Sequence, residues 1–230
     1  FDGAWINSRL VEGGRVGDLY GYRFRYANDG QLLIGADGFP IVDQSKFVLA
    51  GNAMPDFTSA LINTFSWKGL SLSFQVEWKQ GGDVYDMGLR NSTRNGILKE
   101  TERRHEQVVF KGVKADGTPN TTVVEIDGDN FYRSTVRYNG ASEILLQDAS
   151  WFRLRVVSLS YSLPKKWLST SPLGALSFNL TGNNLYLNTP YKGYDPESLQ
   201  NGAGNNAFGF SGLTTPAVRS INFGLNATFK

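Results

Sequence analysis

Cysteine is absent from the 230 residues, and histidine occurs once, at position 105. The first absence excludes disulfides and Cys-ligated zinc, and it suits an exported bacterial protein as well as a cytosolic one. The second removes most catalytic chemistry. A HExxH zinc site or a Ser-His-Asp triad would have to use His105, and no nucleophile-elbow motif accompanies it. His105-Glu106 begins like a zinc motif, but it sits in the charged run from Lys99 to Glu106, which reads as a solvated face. Long apolar runs are missing too; none approaches the ~18 residues expected of a membrane-crossing helix. Charge of one sign is not in excess, with a formal net charge of +2. Lysine and arginine are scattered rather than gathered into a basic stripe, so no nucleic-acid partner is expected. There is no signal peptide and no initiator methionine before Phe1, so the chain is expected to be a piece of a longer precursor.

Other small motifs also lack their setting. Gly202-Ala203-Gly204 and Gly209-Phe210-Ser211-Gly212 are not framed by a strand and a helix, as a phosphate loop requires, and read as a mobile outer loop. Glu125, Asp127 and Asp129 alternate with Ile126 and Gly128, but the pattern does not match an EF-hand loop and reads as a solvated turn. No catalytic residue, metal or cofactor is assigned, and the chain does not read as an enzyme.

What the chain does have is alternation. Aromatics make up 13% and glycine contributes 26 residues. In the closing segment Ile221, Phe223, Leu225, Ala227 and Phe229 fall on one face, and Ser220, Asn222, Gly224, Asn226 and Thr228 on the other. A soluble sheet gives this pattern, and so does a strand with lipid outside and a wet lumen inside. The clearest hairpin covers 57–78. Lys68-Gly69 is its tight turn, and Leu70, Leu72, Phe74, Val76 and Trp78 then alternate with Ser71, Ser73, Gln75 and Glu77. Nine strictly alternating residues match one barrel strand of about 9–11 residues.

Further strands are expected at 148–163 and 175–187, before the closing strand. In the first of these, Phe152, Leu154 and Val156 are apolar near the start, but Val157, Leu159, Tyr161 and Leu163 near the end. That phase change predicts a bulge or a change of environment around Val156. Residues 1–56 read as loop-like with short extended pieces. Residues 79–147 form a long connection with some helical or short-stranded content, and 188–216 a Gly/Asn/Pro-rich loop. Short connections therefore all fall at one end of the strands and long ones at the other, as in a membrane barrel. Trp67 and Trp167 fall near the short turns, and Trp78 and Trp151 near the long loops, as the two aromatic belts of a bilayer-spanning barrel would. Slightly negative mean hydropathy does not count against this, because barrel strands are only half apolar.

Several segments resemble the C-terminal portion of SusC/RagA-like TonB-dependent outer-membrane transporters of Bacteroidetes. They include Val16-Gly17-Asp18-Leu19-Tyr20-Gly21-Tyr22, Gly51-Asn52-Ala53-Met54-Pro55-Asp56-Phe57 and Gln80-Gly81-Gly82-Asp83-Val84-Tyr85. Further on come Asp148 to Arg155, Leu159 to Pro164, Gly182-Asn183-Asn184-Leu185 and Tyr191 to Glu197. Their order and spacing hold over nearly the whole chain. The family usually stops on the aromatic, whereas here Lys230 follows Phe229.

The resemblance implies an all-β fold, an antiparallel transmembrane β-barrel of about 22 strands with a plug in its lumen. This chain would supply the last ~5 strands, with long extracellular loops; the plug domain and the TonB-contacting segment would lie upstream of Phe1. It further implies import of an oligosaccharide or peptide across the cell outer membrane, with a SusD-like surface lipoprotein as partner, outer-membrane lipid around the barrel, and TonB engaged through the upstream region. Substrate contacts would come from long loops and the upper lumen, where Trp5, Tyr85, Arg94, Tyr191 and Tyr194 are candidates; Asp195-Pro196-Glu197 would fix the outer loop. The residues alone also allow a secreted, soluble all-β glycan-binding module. Five strands cannot close a barrel, and their open edges would be sticky outside the full-length chain.

Overall fold

A computed structural model describes residues 5–200, 207–212 and 214–230; Gly202-Ala203-Gly204 lies outside them. In chain order the strands are β1 (Ile6–Ser8), β2 (Asp18–Phe24), β3 (Val42–Asn52), β4 (Phe57–Trp67), β5 (Leu70–Gln80), β6 (Asp83–Asp86), β7 (Glu106–Val108), β8 (Val124–Ile126), β9 (Leu146–Asp148), β10 (Trp151–Ser162), β11 (Leu173–Asn188), β12 (Phe210–Ser211) and β13 (Ser220–Phe229). One α-helix is present among the described residues, α1 (Met87–Asn95). The chain divides into two compact units. The first comprises Phe1–Met54, Gly82–Asp148 and Lys192–Thr214, and the second Pro55–Gly81, Ala149–Tyr191 and Thr215–Lys230.

The second unit is a five-stranded antiparallel sheet in the order β13-β11-β10-β5-β4, a meander in which each strand lies beside its neighbour within the unit. Directly opposed residues share a face, so the alternation of each strand adds to that of the next. Phe65, Leu72, Leu159, Leu180 and Phe223 form one row straight across all five strands. The row of Thr64, Ser73, Ser158, Thr181 and Asn222 lies on the other face, where the Ser158 and Thr181 hydroxyls are 2.9 Å apart.

The phase change near Val156 is a bulge. Between Leu154 and Val156 the register of β10 slips against both neighbours: Arg155 has no residue opposite it on β5, and two, Asn184 and Leu185, across from it on β11. On β11 the slip falls at Asn184, whose φ is 50°. One inserted residue restores the phase, so Phe152 and Leu154 share the apolar face with Val157, Leu159 and Tyr161. Arg155 is pinned on the polar face. Its Nε donates to Glu77 Oε2 at 2.9 Å and its Nη1 to Asn184 Oδ1 at 3.4 Å.

Trp67, Trp78 and Trp167 are exposed. Trp151 differs from the belt position expected of it. Its register partner is Lys79 rather than Trp78, which puts it on the polar face, buried beside the guanidinium groups of Arg153 and Arg155 at 5.7 and 5.5 Å. Strand parity, not distance from the loop, decides which side a terminal aromatic faces.

Two connections lie at one end of the sheet. Lys68-Gly69 turns β4 into β5 with φ of 46° and 90°, the left-handed pair that matches strand twist. The segment 163–172, with a short 3-10 helix at Lys165–Leu168, joins β10 to β11. Ser162 N donates to Gly69 O at 2.8 Å, which holds these two turns together. The connections 81–150 and 189–219 leave from the opposite end.

In the first unit β1, β2 and β3 form an antiparallel sheet. The eleven-residue β3 was not legible in a region expected to be loop-like. Its sequence VDQSKFVLAGN has no clean period of two, and its pairing with β2 slips register twice. A smaller sheet sets β6 between β9 and β12, with β12 parallel to it. Phe210 and Ser211 are thus a buried strand rather than a mobile loop. Phe210 packs with Ile6, Leu19, Tyr85 and Leu145. Gly209 precedes it at φ 74°, where a Cβ would lie 2.6 Å from Ala53 Cβ.

Asn52 joins three of the distant family-like segments. Its Nδ2 donates to Val16 O at 3.1 Å and Asp18 Oδ1 at 2.7 Å, its Oδ1 accepts from Met54 N at 2.8 Å, and its backbone N donates to Asp83 Oδ2 at 2.9 Å. The Asn52 amide, more than any other group, holds the Asp18 carboxyl below its ordinary range. A second core gathers Phe39, Val124, Ile126 and Tyr132, with Phe110, Phe131 and Tyr138 packed on it.

A Cβ on residue 69 would sit 2.6 Å from Ser162 O in a conformation few side chains adopt, so Gly69→Ala should cost about 1–3 kcal/mol. A lowered urea midpoint for the folded band on unboiled gels of the intact protein checks this. Burial pushes the phenols of Tyr85 and Tyr138 up to about 12, with Glu100 adding to the effect at Tyr138. The folded state then favours the neutral phenol. The stability this gives is complete below the usual value of 10.0 and is lost as pH rises through about 12. Unfolding midpoints measured across that window should fall less steeply in a Tyr85→Phe, Tyr138→Phe double variant.

Candidate functional site

Two polar grooves on the first unit bring charged side chains together. Helix α1 builds the wall of one. Asp86 caps its start by accepting from Leu89 N at 2.8 Å, and Gly96 ends it at φ 69°, with its N–H on Thr93 O. The helix carries Arg90 and Arg94 one turn apart, so both lie along one side. Arg94 is exposed and lines a groove of about 390 Å³ with Arg104, His105, Asp127, Asp129 and Arg133.

Several groups in this groove already have partners. Arg104 donates to Gly96 O at 2.7 Å and Thr101 O at 3.1 Å. His105 Nδ1 lies 2.7 Å from Glu125 Oε1, and Arg133 3.7 Å from Asp129. Asp127 caps the π-helical turn Gly128–Tyr132 and accepts from the backbone N of both Asp129 and Asn130. The acidic alternation 125–129 therefore serves caps and ion pairs, and no group of three or more potential metal ligands occurs among the described residues.

Another groove, of about 410 Å³, is lined by Arg23, Arg25, Tyr26, Asp43 and Lys46 around β2 and β3. Glu143 anchors it, accepting from Arg23 Nε at 2.9 Å, Phe24 N at 2.7 Å and Tyr26 OH at 3.1 Å. Burial, then the Glu143 charge, raises the Tyr26 phenol. Arranged this way, guanidinium, carboxylate and phenol groups can bind a polar or charged ligand.

The five candidates from sequence are not one cluster. Trp5 is half-buried, with the Arg90 guanidinium 5.1 Å from its ring. Tyr85 is 2% exposed, its ring 6.4 Å from that of Phe210, and its hydroxyl has no hydrogen-bond partner among the described residues. Arg94 faces the first groove. Tyr191, in the second unit, is buried, and its backbone N donates to Thr189 Oγ1 at 3.1 Å. Tyr194 is 86% exposed. Asp195, two residues before Glu197, is buried and accepts from Glu197 N at 3.0 Å, a fixed loop turn. The sequence reading missed Arg90, whose four-residue spacing from Arg94 was the available signal. It missed the meeting of Arg23 and Arg25, from β2 and just beyond it, with Lys46, because Lys46 lies on β3, which was not recognised as a strand.

Comparison with known proteins agrees on the kind of molecule. No family model matches the chain. It is 29% identical over 246 residues to TonB-dependent receptor P26 of Formosa agariphila, covering 97% of this chain and 24% of that protein. It is 24% identical to TonB-dependent receptor P3 of the same organism, covering 96% of the chain and 23% of the relative. The chain thus spans about a quarter of the length of these relatives. Among solved structures, the RagAB peptide importer in its open-open state aligns with a TM-score of 0.59 at 21% identity, over 92% of this chain and 22% of that one. The RagAB peptide transporter aligns at 0.57 and 20%, over 92% and 24%. By sequence and by fold, this chain is similar to the SusC/RagA-like TonB-dependent outer-membrane transporters whose short segments it carries.

Proposed function

We propose that this chain is part of a TonB-dependent importer that carries an oligosaccharide or peptide across the bacterial outer membrane. The observation that carries the reading is the apolar face of the five-stranded sheet. Phe65, Leu72, Leu159, Leu180 and Phe223 span it at 58%, 38%, 41%, 47% and 72% exposure. An apolar surface this broad is not left to water. Lipid covers such a face in a barrel, and the serine, threonine and asparagine row opposite suits a wet lumen.

In this reading residues 57–230 supply the last strands of a plugged barrel of about 22 strands, with 79–147 and 188–216 as outer loops and 1–56 as further extracellular loop. The two free edges, β4 and β13, pair with strands outside this chain, because open edges would otherwise aggregate. Ligand binds between the loops and a SusD-like lipoprotein. Plug movement driven through TonB then admits it. The work is binding and gating. Peptide is the first ligand class to try, since the solved relatives are named as peptide importers. Trp5, Tyr85, Arg94, Tyr191 and Tyr194 are the candidate contacts, of which Arg94 and Tyr194 have exposed side chains.

Fractionation tests the reading. The protein as the cell makes it should sit in the outer membrane and shift on an unboiled gel. Recovery in buffer without detergent would instead favour a secreted glycan-binding module. Binding of the intact transporter, with its neighbouring lipoprotein, to peptide and glycan panels then assigns the ligand class. Arg94→Ala and Tyr194→Ala should each weaken that binding about five- to tenfold, and unchanged affinity in both would remove these residues from the site.

A further inference from the structure

The sheet of the second unit carries its acidic side chains at one end only, where Lys79, Arg153, Arg155 and Arg219 accompany them. Its side-chain carboxylates are Asp56 and Glu77 alone. Asp56 N donates to Gln80 O, and Glu77 lies near the end of β5, so both acids sit where the long connections leave. The short-turn end holds Lys68, Lys165, Lys166 and Lys230 and no Asp or Glu side chain among the described residues of this unit. Lys230 is committed internally, its Nζ donating to Leu168 O, Ser169 O and Ser171 O at 3.2, 3.0 and 2.9 Å. The other three lysines are exposed on the turns. Trp67 and Trp167 flank them at 69% and 60% exposure, with Lys68 Nζ 4.9 Å from the Trp67 ring. Leu70, register partner of both Trp67 and Tyr161, begins the apolar face directly behind this rim.

We infer that this rim binds the phosphate groups of anionic phospholipids in the leaflet that the short turns face. The apolar face takes the acyl chains, indoles settle at the interface, and the ammonium groups stand at phosphate height. Charge complementarity selects the lipid class. A zwitterionic headgroup would bring its own ammonium against three exposed lysines with no Asp or Glu side chain beside them in this sheet, whereas an anionic one neutralises them. The inference rests on the membrane reading above.

The test uses the intact protein in nanodiscs of mixed phosphatidylglycerol and phosphatidylcholine, with retained lipid counted by native mass spectrometry. Wild type should retain phosphatidylglycerol with at least about a tenfold preference. A Lys68→Gln, Lys165→Gln, Lys166→Gln variant should lose that preference, and the corresponding triple arginine variant should keep it. Equal retention of both lipids by wild type, or an undiminished preference in the glutamine variant, overturns the proposal. Should the triple variant fail to give the heat-shifted folded band, the three single glutamine variants replace it, each expected to lose part of the preference; no loss in any of them is the overturning result. A protein found soluble without detergent would overturn the membrane reading itself, a distinct outcome.

Discussion

A sheet that turns one continuous apolar face outward depends on parity. Each strand must keep an even spacing between its outward side chains, and every neighbour must hold the matching register. One extra residue anywhere sends half a strand's hydrophobic set to the wrong side. Strand β10 contains that extra residue, Arg155, and accommodates it as a bulge faced by Asn184 and Leu185 on β11. The inserted residue could not be an apolar one without cost, because it faces the polar side. An arginine that reaches both Glu77 and Asn184 makes it a clamp instead.

That parity is also why the sheet was legible from sequence. Alternation marked β5, β10, β11 and β13, the phase change located the bulge, and turn chemistry at Lys68-Gly69 fixed the hairpin. Legibility failed where burial comes from long-range contact rather than local pattern. Strand β3 mixes Asp43, Ser45 and Lys46 with Phe47 and Val48, and is held by irregular pairing with β2. Strand β12 is two residues long, and only its place in a core with Ile6, Leu19 and Tyr85 defines it. Trp151 was assigned by its distance from a loop, when its parity sets its side.

The same limit applies to the candidate site. Aromatic and arginine content drew attention to Trp5, Tyr85, Arg94, Tyr191 and Tyr194, yet these have different surroundings. Tyr85 sits in a core and Tyr194 in the open. The grooves are lined by pieces far apart in sequence, such as α1 with Arg133, or Arg25 with Lys46. Sequence spacing cannot show such meetings. In three of the family-like segments, by contrast, Asp18, Asn52 and Asp83 are joined to one another and to Val16 O by hydrogen bonds.

The tie at Asn52 belongs to a unit assembled from three separated stretches, interleaved with the strands of the sheet. Its core needs Ile6 and Leu19 from the first stretch, Tyr85 and Leu145 from the second and Phe210 from the third. This core cannot close until Phe210 has joined Ile6, Leu19, Tyr85 and Leu145. The contacts of this core are therefore far apart in sequence, the kind whose loop-closure entropy is met before they return any stability. Until then Phe210 and its partners stay uncovered, a period in which a chaperone would have apolar surface to hold.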